Sequence, residues 1–517
     1  MDWKKNVTFS QITSFIFIIA SILALHIKTG LSYSILHIIV ICLLSCVVLF
    51  ALFLLIIPIK MHLSNYFLLI FALSVVYASL CNTTFPYPYE KRIRLRLMLL
   101  SDPRVRGRTL QFIAKLKRTG IAWESQSDIE HRDRANIHFP HQKVLLNLPF
   151  MSVYPQRGDT VEVEGIFMDL PYEDIKEYAL YLKSRGIHAI FEGSGRQFIV
   201  RKQPPIFSIV AVSNKLKSYI CRVNDGLLLY PHSEFATALL TGNRDELPPH
   251  VIESFRLSGT MHILAVSGLH IGFLVFFFLL LFKILRLNQI LSYIILIGVV
   301  VFYMVFIGDT PSVKRASLMV LCGIAMFLLD RDRNYLNVLA IAFNILWFMN
   351  PLMIINPGFL LSFAATFAIL FLVPHVQSIF NTGLPRFLAT PLALSAGIQL
   401  YLFPIMLTFF GNFAYINIVA NLPVVPLAGI SLALEILTLL FYPLFLPLAI
   451  IFAEVNIVVV STILRLADLF AKIPPITVRG CPQFFIPIYF LLITVGVWFV
   501  FKRNGGLGSQ RERQRVM

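Results

Sequence analysis

Arg92-Ile93-Arg94-Leu95-Arg96-Leu97 alternates cations with apolar side chains, residue by residue. A period of two puts the apolar groups on one face and the arginines on the other, so this stretch is a half-buried strand and not a membrane span. Val161-Glu162-Val163-Glu164-Gly165 repeats the pattern. After it, Pro171 opens an amphipathic helix with Ile175, Tyr178 and Leu182 on one stripe, and Gly186 stands at the expected C-cap. Short strands continue to Val200. About five strands and one helix within residues 86–204 suit a small barrel of the OB type.

Outward from this island the chain turns hydrophobic. Its residues are 57% apolar and only 14% charged, with a mean hydropathy of +0.77, which excludes an ordinary soluble protein. A bilayer core of about 30 Å takes roughly 20 apolar residues per helix. Three runs approach this length upstream, Ile12 to Leu25 with its flanks, Ile35 to Ile57 and Leu63 to Leu80, and form an N-terminal three-helix block over residues 1–85. No small-residue cleavage pattern separates the first run from the next, which speaks against a removable signal.

Residues 205–260 read as an amphipathic interfacial segment, with Lys215, Lys217 and Arg222 spaced along it. Residues 261–502 hold nine expected helices, near 262–286, 289–307, 313–329, 336–349, 357–374, 388–409, 414–440, 446–470 and 484–501. A basic tail, 503–517, follows. The expected fold class is a polytopic α-helical membrane protein of about 12 transmembrane helices, with an inserted extracytoplasmic small β-barrel, OB-like domain.

Net charge is +17. Short basic flanks at Lys4-Lys5, Lys283 with Arg286, Arg331 with Arg333, and Lys502 to Arg515 mark cytoplasmic ends of helices. Three crossings then set the strand domain outside, and an even total returns both termini to the cytoplasm. Six cysteines are scattered without metal-ligand spacing, and a Cys81 to Cys221 bridge stays open. No phosphate-binding GxxxxGK loop is present, and no cofactor, metal or catalytic residue is expected.

The chemistry concentrates in Thr241 to Gly259 and the string His262-Ile-Leu-Ala-Val-Ser-Gly-Leu-His-Ile-Gly272. On one continuous helix His262, Val266 and His270 share a face, with Ser267 one turn before His270. Imidazoles at membrane depth mark a protein or water-facing interior. Small residues such as Ser267, Gly268 and Gly272 also let helices approach closely.

HILAVSGLHIG, preceded by ALLTGNRDELPPHVIESFRLSGTM, resembles the signature of the ComEC competence family, polytopic proteins that form the inner-membrane channel for transforming DNA. The likeness continues through Gly308 to Ala316, Asn350-Pro351, Asn356-Pro-Gly-Phe-Leu-Leu-Ser-Phe363, Gln399, Pro404, Gly411, Asn421, Pro423 and Pro426, and upstream in YLKSRGIHAIFEG. Asn356 and Leu360 stand where the family usually has Asp and Gln. The resemblance is to a form lacking the C-terminal metallo-β-lactamase-like domain of many members.

The resemblance implies a channel in the bacterial inner membrane that takes up single-stranded transforming DNA during natural competence. Its implied partners are single-stranded DNA, the lipid bilayer, an external DNA-receptor protein, a separate nuclease and a cytoplasmic helicase or ATPase. Channel or motif residues are His262, Ser267, His270, Arg315, Asn356 and Gln399. DNA-binding candidates are Arg92, Arg94, Arg96, Arg104, Arg106 and Arg108, from a window holding ten Lys or Arg and one acid, Asp102.

Each has a plainer alternative. The arginines can form a solvated strand face, Arg315 can snorkel to the interface, and Asn356 and Gln399 can bond neighbouring helices. Other functions compatible with the sequence are transport of another polyanion or envelope polymer, and hydrolysis by Ser267 with His262 or His270. The hydrolase reading lacks an orienting acid and an oxyanion hole.

Overall fold

A computed structural model describes residues 92–106, 109–116, 143–149, 155–168, 176–205, 208–308, 310–329, 335–380 and 385–478, with 489, 492 and 493. The three upstream apolar runs, most of the expected helix 484–501, Cys81 and the basic tail lie outside the described residues.

The strands are β1 (Arg92–Leu99), β2 (Arg104–Arg106), β3 (Thr109–Leu116), β4 (Lys143–Pro149), β5 (Thr160–Met168) and β6 (Ile187–Lys202), with helix α1 (Lys176–Ser184) between β5 and β6. β1 pairs antiparallel with β3 and with β5, β3 with β4, and β5 with β6, while β4 and β6 run parallel. The ring therefore closes on itself as a five-stranded barrel, and β2 extends one edge of β3. The alternation read in the sequence holds. Ile93, Leu95, Leu97 and Leu99 fill the barrel with Phe112, Leu146, Val163 and Phe191. Gly165 sits opposite Gly193 where the β5–β6 register shifts, and a Cβ there would come within 2.0 Å of the Glu192 carbonyl oxygen. Only glycine permits that approach.

Arg94 and Arg96 project outward, but they lie opposite Glu164 and Glu162 of β5, with ion-pair distances of 3.7 and 3.9 Å. The cationic window between Lys91 and Arg118 is thus partly neutralised by acids from a distant strand.

The helical part begins with α2 (Ile209–Leu227), α3 (His232–Thr241) and α4 (Pro249–Leu257). Then come α5 (Met261–Leu264), α6 (Gly268–Ile284), α7 (Gln289–Ile307), α8 (Pro311–Leu328) and α9 (Tyr335–Met349). A short 3₁₀ turn, Pro351–Ile355, leads to α10 (Pro357–Phe371), α11 (Val373–Phe380) and α12 (Arg386–Phe410). The short strand β7 (Asn412–Phe413) precedes α13 (Asn417–Phe441) and α14 (Leu446–Ala471), and pairs with β8 (Ile476–Thr477). Among the described residues five helices, α7, α8, α12, α13 and α14, are long and apolar enough to cross a membrane, and α6, α9 and α10 are shorter apolar helices. The chain is a membrane protein.

Three expectations change. Residues 262–286 do not form one helix: Ser267 is extended, at φ −124° and ψ −179°, and starts α6 afresh. His262, Val266 and His270 therefore do not share one helical face. The expected helix 357–374 ends at Phe371, and α11 restarts with Pro374 in its first turn, where a missing N–H costs nothing. Residues 205–260 fold as three helices, of which α3 is buried along nearly its whole length against α13 and α14. Conversely, α12 and α13 run unbroken through their internal prolines.

The barrel is docked on the helices by specific bonds. Arg157 Nη1 donates to the carbonyls of Val305 (2.6 Å) and Phe306 (3.5 Å), placing a cation at the C-terminus of α7. Asn214 Nδ2 donates to the Arg157 carbonyl at 2.7 Å, and Lys217 pairs with Asp102. Asn350 Nδ2 donates to the Ser184 carbonyl at 2.8 Å. α7 is 19 residues, roughly 28 Å long, so the turn before it, where Arg286 follows Lys283 at the end of α6, stands one bilayer thickness from the barrel.

Candidate functional site

Three of the sequence motifs converge where α6 begins. Ser267 Oγ accepts a hydrogen bond from Leu269 N at 3.2 Å, and Ser267 N donates to His270 Nδ1 at 3.2 Å. This is a capping box with histidine in the usual place of Glu or Gln. Ser267 Oγ also lies 3.4 Å from His270 Nδ1, but that nitrogen's lone pair is already held by the backbone N–H. Both side chains are committed to starting a helix, an arrangement unlike a nucleophile and its base. Ser267→Ala should cost about 1 kcal/mol of stability through loss of the cap, measured by thermal unfolding.

His262 lies exposed on the short helix α5, before the break that starts α6.

Arg315, in the first turns of α8, points into the bundle and is 8% exposed. Its Nε donates to Ser362 Oγ (2.7 Å) and its Nη1 to Thr366 Oγ1 (2.6 Å) and Met319 Sδ (3.3 Å). The Phe363 ring lies 5.9 Å from the guanidinium carbon. Nη2 is aimed at Gly268, where a Cβ would approach it to 2.9 Å. Every one of these partners is neutral, and among the described residues no carboxylate pairs with Arg315. A cation at this depth without a carboxylate among the described residues is costly.

The other motif residues lie elsewhere. Asn356 caps α10 through Oδ1, which accepts from Gly358 N (2.9 Å) and Phe359 N (3.3 Å), and its Nδ2 donates to Ser184 Oγ of the barrel at 3.1 Å. Gln399 is half-buried on α12, apart from these bonds.

A second cluster lies on the barrel. Arg104 and Arg106 are exposed on β2. Arg106 stands 5.5 Å over the Tyr178 ring and Arg185 6.0 Å over Tyr181, and the two tyrosines stack at 6.3 Å. Arg244, between α3 and α4, joins them: burial, and then the neighbouring Arg104 guanidinium, push its pKa below the usual arginine value. Crowded cations beside two aromatic faces are the surface that single-stranded nucleic acid uses. The Arg92 side chain and Arg108 lie outside the described residues. Sequence reasoning missed Tyr178, Tyr181, Arg185 and Arg244 as neighbours of Arg104 and Arg106 because the cluster draws on three separate segments. It missed Ser362 and Thr366 although their i, i+4 spacing already aligned two hydroxyls on one helix face.

Residues 239–503 match the family described as Competence protein. Over 277 residues the chain is 26% identical to ComE operon protein 3 of Bacillus subtilis (strain 168), a span of 53% of this chain and 34% of that protein. Over 337 residues it is 23% identical to Uncharacterized protein YcaI of Escherichia coli (strain K12), covering 60% of this chain and 43% of that one. The chain thus spans less than half the length of either relative. No solved structure matches.

Proposed function

Because the chain belongs to the Competence protein family, we propose that it is a multi-pass channel of the bacterial inner membrane that admits single-stranded DNA during natural competence. The observation that carries this reading is Arg315, a guanidinium buried among helices, held by neutral groups and aimed at the start of α6. A passing phosphate supplies the anion that the described residues do not, and releases it again because no carboxylate among them locks it in place.

The barrel cluster supports the same cargo from the other end of the path. Arginines take the backbone while Tyr178 and Tyr181 offer stacking faces. We read the barrel as OB-like, a reading supported by its five-stranded closed ring with one parallel pair. Lys283 and Arg286 stand a helix length from the barrel, which supports an extracytoplasmic barrel and cytoplasmic termini. An external receptor, a nuclease and a cytoplasmic motor are the partners that complete the process.

The test removes the gene and follows labelled transforming DNA into the cytoplasm as nuclease-protected label. Internalisation should be lost, and restored by the full chain on a plasmid. Unchanged internalisation would overturn the proposal.

A further inference from the structure

Four helices meet at a polar knot inside the apolar block. Glu435, the only charged residue of α13, is 1% exposed. Asn456 Nδ2 of α14 donates to its Oε2 at 3.4 Å, and Ser431 Oγ donates to Asn456 Oδ1 at 2.8 Å. From α2, the Asn224 side chain interacts with the same carboxyl, and its Nδ2 donates to Thr237 Oγ1 of α3 at 3.0 Å. Asn224, Ser431 and Asn456 are fully buried. Two buried oxygens are left without a donor: Glu435 Oε1 and Asn224 Oδ1.

No cation balances this carboxyl among the described residues. On α2, Lys215, Arg222 and Asp225 are exposed, Lys217 is engaged by Asp102, and Tyr219 bonds the Leu439 carbonyl. On α3, His232 is bonded to Ser461 and Glu234 to Ser233. The charges of α14 (Glu454, Arg465, Asp468), Lys283 of α6 and Arg386 of α12 are exposed, and His270 closes the α6 cap. An ionised Glu435 would be a bare charge in apolar surroundings, with Oε1 left without a donor. Turning the Asn224 amide by half a rotation would give the carboxylate a donor but leave its charge uncompensated. A proton on Oε1 removes the charge and supplies the donor that Asn224 Oδ1 lacks.

We propose that Glu435 is a proton-binding site within the membrane block, where the carboxylic acid donates its O–H to Asn224 and so ties α2 and α3 to α13 and α14. When the O–H bond breaks, the electron pair stays on Oε1 and the proton leaves to water. The carboxylate then faces the Asn224 oxygen, and the junction loosens. Proton occupancy is thereby coupled to the packing of the helix pair that follows the barrel against α13 and α14. This does not depend on what the channel carries.

The test uses the purified full chain in lipid nanodiscs, with infrared spectra in H₂O and D₂O at neutral pH. The wild type should show the C=O stretch of a protonated carboxylic acid, shifted in D₂O and absent from Glu435→Gln. Asn224→Ala, which leaves the acid in place, should keep the band but move it to the position of a weaker hydrogen bond. The native state holds a proton that the unfolded chain releases, so as pH is raised from the ordinary carboxylate range (about 4–5) until the native-state proton is lost, the wild-type Tm should fall relative to that of Glu435→Gln. Identical carboxylic spectra for wild type and Glu435→Gln would overturn the proposal. So would a Tm raised by sodium or potassium with no carboxylic band, which would identify a metal cation as the occupant.

Discussion

In cells whose only copy of the chain carries Arg315→Gln, internalisation of labelled DNA is expected to fall on the order of 10- to 100-fold, the equivalent of one charge-assisted hydrogen bond of about 1.5–3 kcal/mol. Glutamine can still reach the hydroxyls of Ser362 and Thr366, so the local packing survives while the positive charge goes. Removing a buried cation that has no carboxylate partner among the described residues should leave the folded protein at least as stable. Arg315→Lys should fall between the two, because an ammonium keeps the charge but cannot bond both hydroxyls in the planar fork while a third N–H faces Gly268. The measurement is the rate at which label becomes nuclease-protected, normalised to protein level in the membrane. Full activity of Arg315→Gln would mean that the guanidinium is a packing element.

The second large effect is expected at the barrel. Replacing Arg104, Arg106 and Arg244 together by glutamine should reduce the slope of log affinity against log salt, for single-stranded DNA on the full chain in nanodiscs, by about 2. Tyr178→Ala and Tyr181→Ala should each cost about 1–3 kcal/mol of binding and leave that slope unchanged, since stacking releases no counterions. Arg94→Gln serves as the internal comparison. Its guanidinium already faces Glu164, so its loss should alter binding and slope little. An equal loss from Arg94→Gln would move the contact surface from β2 to β1.

The strand domain was legible because alternation is a local property. Arg92 to Leu97 carries its own period, and the structure buries every second side chain as that period requires. The meaning of its arginines was not local. Glu162 and Glu164 lie about seventy positions away, and only strand pairing sets them opposite Arg96 and Arg94. The same holds for the site in the helices. His262, Ser267, His270 and Arg315 stood out as polar groups in apolar sequence, yet their grouping depends on a break at Ser267 that periodicity does not disclose, since the flanking residues fit one helix. Hydroxyls such as Ser362 and Thr366 were overlooked because a small polar residue in a membrane helix bonds its own backbone as readily as a partner. Asn356 shows the reverse: its place before Pro357 signals a helix cap, and its capping oxygen fills that role while the amide nitrogen reaches the barrel.

The bonds that seat the barrel also set an order of events during biosynthesis. Arg157 and Ser184 emerge from the ribosome well over a hundred residues before Val305, Asn350 and Asn356, the groups they will hold. The barrel has its own closed core and can fold as soon as β6 is made. It must then wait, complete but unseated, until α7 and the turn before α10 have been inserted. Seating is therefore a late checkpoint of assembly, and a helix placed in the wrong register would be betrayed by a barrel left swinging, with Arg157 free for a protease to find.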